Sequence, residues 1–117
     1  MAKCYVCFMQ SDQSRSRKPV KIGISHNPLL RMSELQVGNP CKLTILTTIE
    51  FKSRSDAEMA EKFLHRRLKN MNVRGEWFYA KHGKLMQKVN KAMREKSTLV
   101  TSKGLLHSSE EYFHTLG

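Results

Sequence analysis

Apolar and polar positions along the chain fall into blocks, and the period of each block names the element it predicts. The opening "CYVCFM" reads as a short apolar strand, and the "QSDQSRSRKP" that follows has the Ser, Asp and Pro content of a hairpin loop. In "PVKIGIS", Val20, Ile22 and Ile24 face one way and Lys21 and Gly23 the other, so a second strand presents Lys21 away from its apolar row. Asn27 then caps a helix with Pro28 in its first turn. Leu29, Leu30, Met32 and Leu35 give that helix an apolar side up to the stop at "VGNP", with Arg31 at the border of the buried face.

The strongest strand signal is "KLTILTTIEF", where Leu43, Ile45, Thr47, Ile49 and Phe51 share one side; it predicts the central or longest strand. "SDAE", Ser55 to Glu58, reads as a capping box opening a helix that runs to about Asn70. Ala57, Ala60, Leu64, Leu68 and Met71 form its core stripe. Glu61 lies about 20° from Leu68 on an ideal wheel, and His65 follows one turn later at the same border. A carboxylate so placed needs a cation, either a metal ion, Arg31 or Lys21, or else it sits half-exposed in an ordinary salt bridge. The wheel does not separate these two readings. "RGEWFYA" supplies a glycine turn and a short aromatic strand, and "GKLMQKVNKAMRE" is amphipathic through Leu85, Val89 and Ala92 or Met93. From about Lys96 the periodicity fades, and "SSEEYFHTLG" offers at most one capped terminal helix. The expected organisation is one domain over 1–95 followed by a tail over 96–117.

Charge changes the picture. The 117 residues carry 21 Lys and Arg against 10 Asp and Glu, a formal +11, which predicts attraction to polyanions, nucleic acid first. A chain of this size accommodates one modest core and one task. No apolar run approaches the ~20 residues of a membrane span, and Met1 to Phe8 lacks the pattern of a signal peptide, so a cytosolic protein without a membrane partner is expected. Cys4, Cys7 and Cys41 are read as reduced thiols, because a zinc site needs a second ligand pair that does not follow. Lys62, Arg66 and Lys69 share an outer side of the second helix, and with Arg74 they are the candidate nucleic-acid contacts. Nothing resembles a zinc finger or a recognition helix of its own fold, which predicts poor sequence readout, or targeting by a protein partner.

The ordered set "YVC" (Tyr5 to Cys7), "KIG" (Lys21 to Gly23), Arg31, Glu61 in "AEKFLH" and "RGEWF" (Arg74 to Phe78) resembles the GIY-YIG nuclease superfamily. Within it, the set is similar to the phage and microbial branch with KIG in place of YIG and a GEWF-like segment after the glutamate helix. The resemblance covers roughly Cys4 to Tyr79. It implies a small α/β (α+β) fold, a three-stranded antiparallel sheet flanked by helices. It also implies hydrolysis of phosphodiester bonds in DNA with a divalent ion, Mg²⁺ or Mn²⁺. Carried over, Glu61 is the metal ligand and Arg31 the phosphate clamp, with Tyr5 and Lys21 as catalytic candidates at the two motifs; His65 is a further candidate on its own chemistry, to orient a water or contact phosphate, against the ordinary reading of a packed helix histidine. The chemistry suits these residues: an attacked phosphodiester gains charge on its oxygens, and arginine is a planar, permanently charged fork of donors.

Three departures bear on activity. The motif tyrosine is usually third, where this chain has Cys7, and Tyr5 stands two residues earlier on the same strand face. Lys21 replaces the second tyrosine, and either binds phosphate or, desolvated, accepts a proton. "RGEWF" occupies the region where many members carry an asparagine, leaving Glu76 and Trp77 without an assigned role. Two alternatives therefore stay open beside the DNA endonuclease: a nucleic-acid-binding protein that kept the fold without cleavage, and a ribonuclease, since nothing in the sequence distinguishes the sugar.

Overall fold

The computed structural model describes residues 2–102 and 113–114, with side chains over 2–96. Strand β1 (Cys4–Ser11) pairs antiparallel with β2 (Val20–Ser25), as a hairpin around the polar loop. Helix α1 (Pro28–Gln36) follows, then β3 (Leu43–Phe51), which pairs antiparallel with the other edge of β1. Helix α2 (Arg54–Arg67) leads through a turn of 3₁₀ helix (Lys69–Met71) into the small hairpin β4 (Asn72–Arg74) and β5 (Trp77–Phe78). Strand β5 pairs with β2 at Val20 and Lys21 only. A second 3₁₀ turn (Lys81–Gly83) opens into α3 (Lys84–Ser102).

Among the described residues the sheet runs β4-β5-β2-β1-β3, and Phe113–His114 add a two-residue strand, β6, outside β3. The expected three strands are therefore too few. The "RGEWF" segment turns at Gly75 (φ +54°) and adds a hairpin to the edge of β2. The terminal helix expected within 108–117 lies outside the described residues, apart from Phe113–His114, which are strand. Strand β3 is the longest, but β1 occupies the centre of the trio.

Two apolar clusters seal the sheet. One face, carrying Cys4, Val6, Phe8, Val20 and Ile22, packs against Ala57, Ala60, Leu64 and Leu68 of α2 and against Leu85, Val89, Ala92 and Met93 of α3. Leu64 is 0 % exposed there, worth about 1.5–3 kcal/mol by apolar burial. The other face holds a smaller cluster of Cys7, Met9 and Ile45, covered by Tyr5 and by Met32 and Leu35 of α1. Cys4 and Cys7 thus face opposite ways, as strand alternation requires.

Three local expectations are corrected. The apolar row of β3 does not stay on one face. The pairing with β1 shifts between Phe8↔Thr47 and Met9↔Ile45, leaving Leu46 as the extra residue of a bulge. Ile49 and Phe51 join the α2 and α3 side while Ile45 joins the α1 side. Helix α2 starts earlier than the capping box suggests: Ser53, not Ser55, is the N-cap, its Oγ accepting from the Asp56 N–H at 3.2 Å. In α1, Leu29 and Leu30 are 64 % and 55 % exposed, because the small apolar patch beneath the helix seats only Met32 and Leu35.

Asn27 caps α1 as expected, accepting from the Leu30 N–H at 3.2 Å. At the other end the Gln36 side chain donates to the carbonyls of Asn39 (3.2 Å) and Cys41 (2.9 Å) and accepts from the Leu43 N–H (2.8 Å). This ties the C-terminal end of α1, and with it the helix bearing Arg31, to the start of β3. Among the described residues no helix is long and apolar enough to cross a membrane.

Candidate functional site

Cys7 and Met9 of β1 and Lys21 and Gly23 of β2 lie on the α1 side of the sheet, and they form the floor of a cleft of about 440 Å³. Register sets the floor: Cys7 lies opposite Gly23 and Met9 opposite Lys21. Because β5 pairs with β2 no further than Lys21, the strand edge beyond it stays open, and α2 lays its Arg54, Glu58, Glu61 and Lys62 along that opening. Arg31 and Leu35 of α1 close the opposite wall. Arg31 and Glu61, far apart in sequence, therefore line one cavity, together with Lys21 and Glu76.

Glu76 arrives by a backbone device. The Ile22 N–H donates to the Glu76 carbonyl at 2.9 Å, which fixes the "RGEW" turn on the edge of β2. The Glu76 carboxylate then forms a close ion pair with the Lys21 ammonium, whose side chain is only 18 % exposed. Gly23 makes room for the pair. A Cβ on Gly23 would stand 3.3 Å from Glu76 Oε1 and 3.6 Å from Lys21 Nζ, so this glycine serves close approach, since its φ is not positive.

On α2, His65 Nε2–H donates to the Ile22 carbonyl at 2.9 Å, and the ring packs against Phe78 with centroids 5.0 Å apart. A carbonyl only accepts, so Nε2 carries the proton and, in the neutral ring, Nδ1 keeps its lone pair. Ligand atoms of Glu61, His65 and Glu76 all lie within 4.8 Å of one another. The Glu61 carboxyl is pushed above the ordinary glutamate range, first by burial, next by the negative charge of Glu76; His65 and Lys21 pull it the other way, and a hydrogen bond with Glu76 adds to the rise. Two crowded, half-buried carboxylates beside an imidazole form a donor set that fits a hard or borderline divalent cation, Mg²⁺ or Mn²⁺ included.

The remaining predicted residues are placed unequally. Lys62 lines the cleft, whereas Arg66, Lys69 and Arg74 are exposed on α2 and the segment after it without lining the cavity. Cys7 lines it as a buried thiol pushed up to about 12, mainly by burial, and so keeps its proton through neutral pH. Tyr5 does not line it: its hydroxyl donates to Glu50 Oε1 at 3.4 Å beside the cluster under α1. Trp77 is half-buried in β5, opposite Lys21 in register. Arg31 is half-exposed and lies 3.7 Å from Glu34 Oε1. Sequence reading missed Arg54 and Glu58, which pair at 2.8 Å on the cleft wall. Their signal was present, because Arg54, Glu58, Glu61 and His65 recur at helical spacing along one border of α2.

The fold and cleft define a small α+β protein whose sheet, α1 and α2 enclose a pocket in which three carboxylates, Glu58, Glu61 and Glu76, meet several cations, with the His65 imidazole next to Glu61 and Glu76. Residues 3–96 match the T5orf172 domain, and the chain belongs to that family, a phage-associated group related to endonucleases. No curated protein and no solved structure matches the chain.

Proposed function

We propose that this protein is a divalent-metal-dependent endonuclease of the GIY-YIG type, hydrolysing phosphodiester bonds in DNA with little sequence preference of its own. The observation that carries the reading is the convergence of Glu61, Glu76, Lys21 and Arg31 on one cleft, with a ligand atom of His65 within 4.8 Å of those of Glu61 and Glu76. Glu61, Glu76 and His65 are the residues that would hold the cation. When bound, such an ion polarises a phosphate oxygen and acidifies water. Arg31 and Arg54 flank the cleft with guanidinium forks suited to non-bridging phosphate oxygens, and Glu58 orients Arg54 through their ion pair. Lys62 on the rim meets a neighbouring phosphate. Lys21, as the cationic half of its pair with Glu76, takes the charge-stabilising role rather than that of proton acceptor.

A second reading has its own observation: Cys7, a thiol that keeps its proton, stands in the cleft where the family's tyrosine is expected, and Tyr5 is engaged with Glu50. That arrangement favours a nucleic-acid-binding protein without cleavage. Incubating plasmid, single-stranded DNA and RNA with the protein in Mg²⁺, Mn²⁺ or EDTA, beside Glu61→Ala and Arg31→Ala variants, decides between them. The endonuclease reading expects metal-dependent nicking of DNA by the wild type and at least about a hundredfold loss in both variants. Three proteins that bind alike and never cut would establish the binding reading, and cutting confined to RNA would make the enzyme a ribonuclease.

A further inference from the structure

We propose a second nucleic-acid-binding site, on the face of the β1–β2 hairpin opposite the cleft, that grips the phosphodiester backbone. A cavity of about 670 Å³ opens there, between the hairpin loop and the segment leading into α3. Its rim carries Arg15, Arg17, Lys18, Lys81 and His82, and among the described residues no Asp or Glu lines it. Its apolar floor includes Val20, Leu46 and Leu85, which belong to the α2 and α3 side of the sheet or pack against it. The cleft is floored by Gly23 and by Cys7, Met9 and Lys21, whose side chains leave the same strands in the other direction.

The loop that bears these cations is a built element. The Ser14 N–H donates to the Arg17 carbonyl at 3.1 Å, and Ser14 Oγ accepts from the Arg17 N–H at 2.9 Å. Across the cavity the Tyr79 hydroxyl donates to the Ser16 carbonyl at 3.0 Å, and the Arg17 guanidinium sits over the Tyr79 ring, 4.9 Å from its centroid. Lys18 pairs with Asp12 at 3.6 Å. Helix α3 begins at Lys84, so the positive end of its dipole faces the same region.

The shape of the charge selects the ligand. Lys84, Lys88 and Lys91 are exposed on another side of α3 and add to the positive field around this end of the molecule. Five basic side chains spread over two segments around one opening suit a linear polyanion better than one small anion. A membrane surface would require apolar side chains to insert, yet the exposed large hydrophobic residues among those described, Leu29, Leu30, Val37, Met59 and Val73, all lie outside this cavity's lining. The inference rests on nucleic acid being the partner class of the proposed function, but not on cleavage.

The test is therefore run in EDTA, with a short labelled duplex titrated at low salt. The wild type is expected to bind two duplexes per chain, one on each face of the hairpin, and Arg15→Glu/Lys81→Glu one, with the affinity of the lost step down about tenfold or more. Both residues are exposed, and the substitutions leave the Arg17–Tyr79 contact in place. Circular dichroism checks the fold, and the milder Arg15→Gln/Lys81→Gln pair is expected to shift binding the same way by less. A double variant that still binds two duplexes with unchanged affinity overturns the site alone. So does a variant that loses binding to phosphatidylserine vesicles while its binding to DNA is unchanged. A wild type that binds no duplex removes this site and the nucleic-acid partner together, whereas binding without cutting leaves this site standing and removes only the nuclease reading.

Discussion

Gly23→Ala separates a glycine kept for folding from one kept for chemistry. In a strand interior glycine costs roughly 0.5–1 kcal/mol relative to alanine, and the φ of Gly23 is one alanine adopts freely. Stability should therefore stay level or rise by up to about that amount. The new methyl carbon would meet Glu76 Oε1 at 3.3 Å and Lys21 Nζ at 3.6 Å, so the carboxylate must give by a few tenths of an ångström. If a 1 Å misplacement costs about a hundredfold in rate, a displacement of a few tenths scales to about three- to tenfold. Urea unfolding gives the stability, and cleavage rate with Mn²⁺ titration by calorimetry gives the function. A Gly23→Ala protein with unaltered rate and unaltered Mn²⁺ affinity would show that the placement of the Lys21–Glu76 pair does not matter to the site. One destabilised by more than about 1 kcal/mol would show that the glycine serves the fold.

Other expectations follow from single features. Glu61→Gln should stabilise the metal-free protein at neutral pH. A carboxyl raised in the folded state makes that state bind more protons, so wild-type stability falls as pH rises from the usual glutamate range through the raised value; thermal melts against pH should show this slope flattened in the variant. Mn²⁺ should raise the melting temperature of the wild type, and the same variant should lose that rise. Ser53→Ala should cost about 1 kcal/mol through loss of the α2 cap, and Ser55→Ala only a few tenths, measured by urea unfolding. At pH 8 a thiol reagent should modify half-exposed Cys41 readily, and buried Cys7, pushed up to about 12, only after denaturation.

Wherever periodicity governs, the chain announced its structure. The α2 stripe of Ala57, Ala60, Leu64 and Leu68 is buried as the wheel places it, and Lys21 leaves β2 on the face opposite Ile22. Where a single residue interrupts a repeat, the pattern misled: Leu46 shifts the register, so a row that alternates perfectly in sequence divides between two faces. Leu29 and Leu30 continue the apolar side of α1, but the patch beneath the helix ends before it reaches them.

The sequence by itself determined the element types, the buried faces of α2 and α3, the excess of positive charge and the candidacy of Glu61 and Arg31. These are local or additive properties, encoded by spacing within a few residues and by composition. Only the tertiary structure decided that Glu76 meets Lys21 beside Glu61 and that a second basic cavity opens on the opposite face. Each depends on which strand edge stays open and on how two distant segments register against each other, and these are set by packing over long chain separations that no periodicity records.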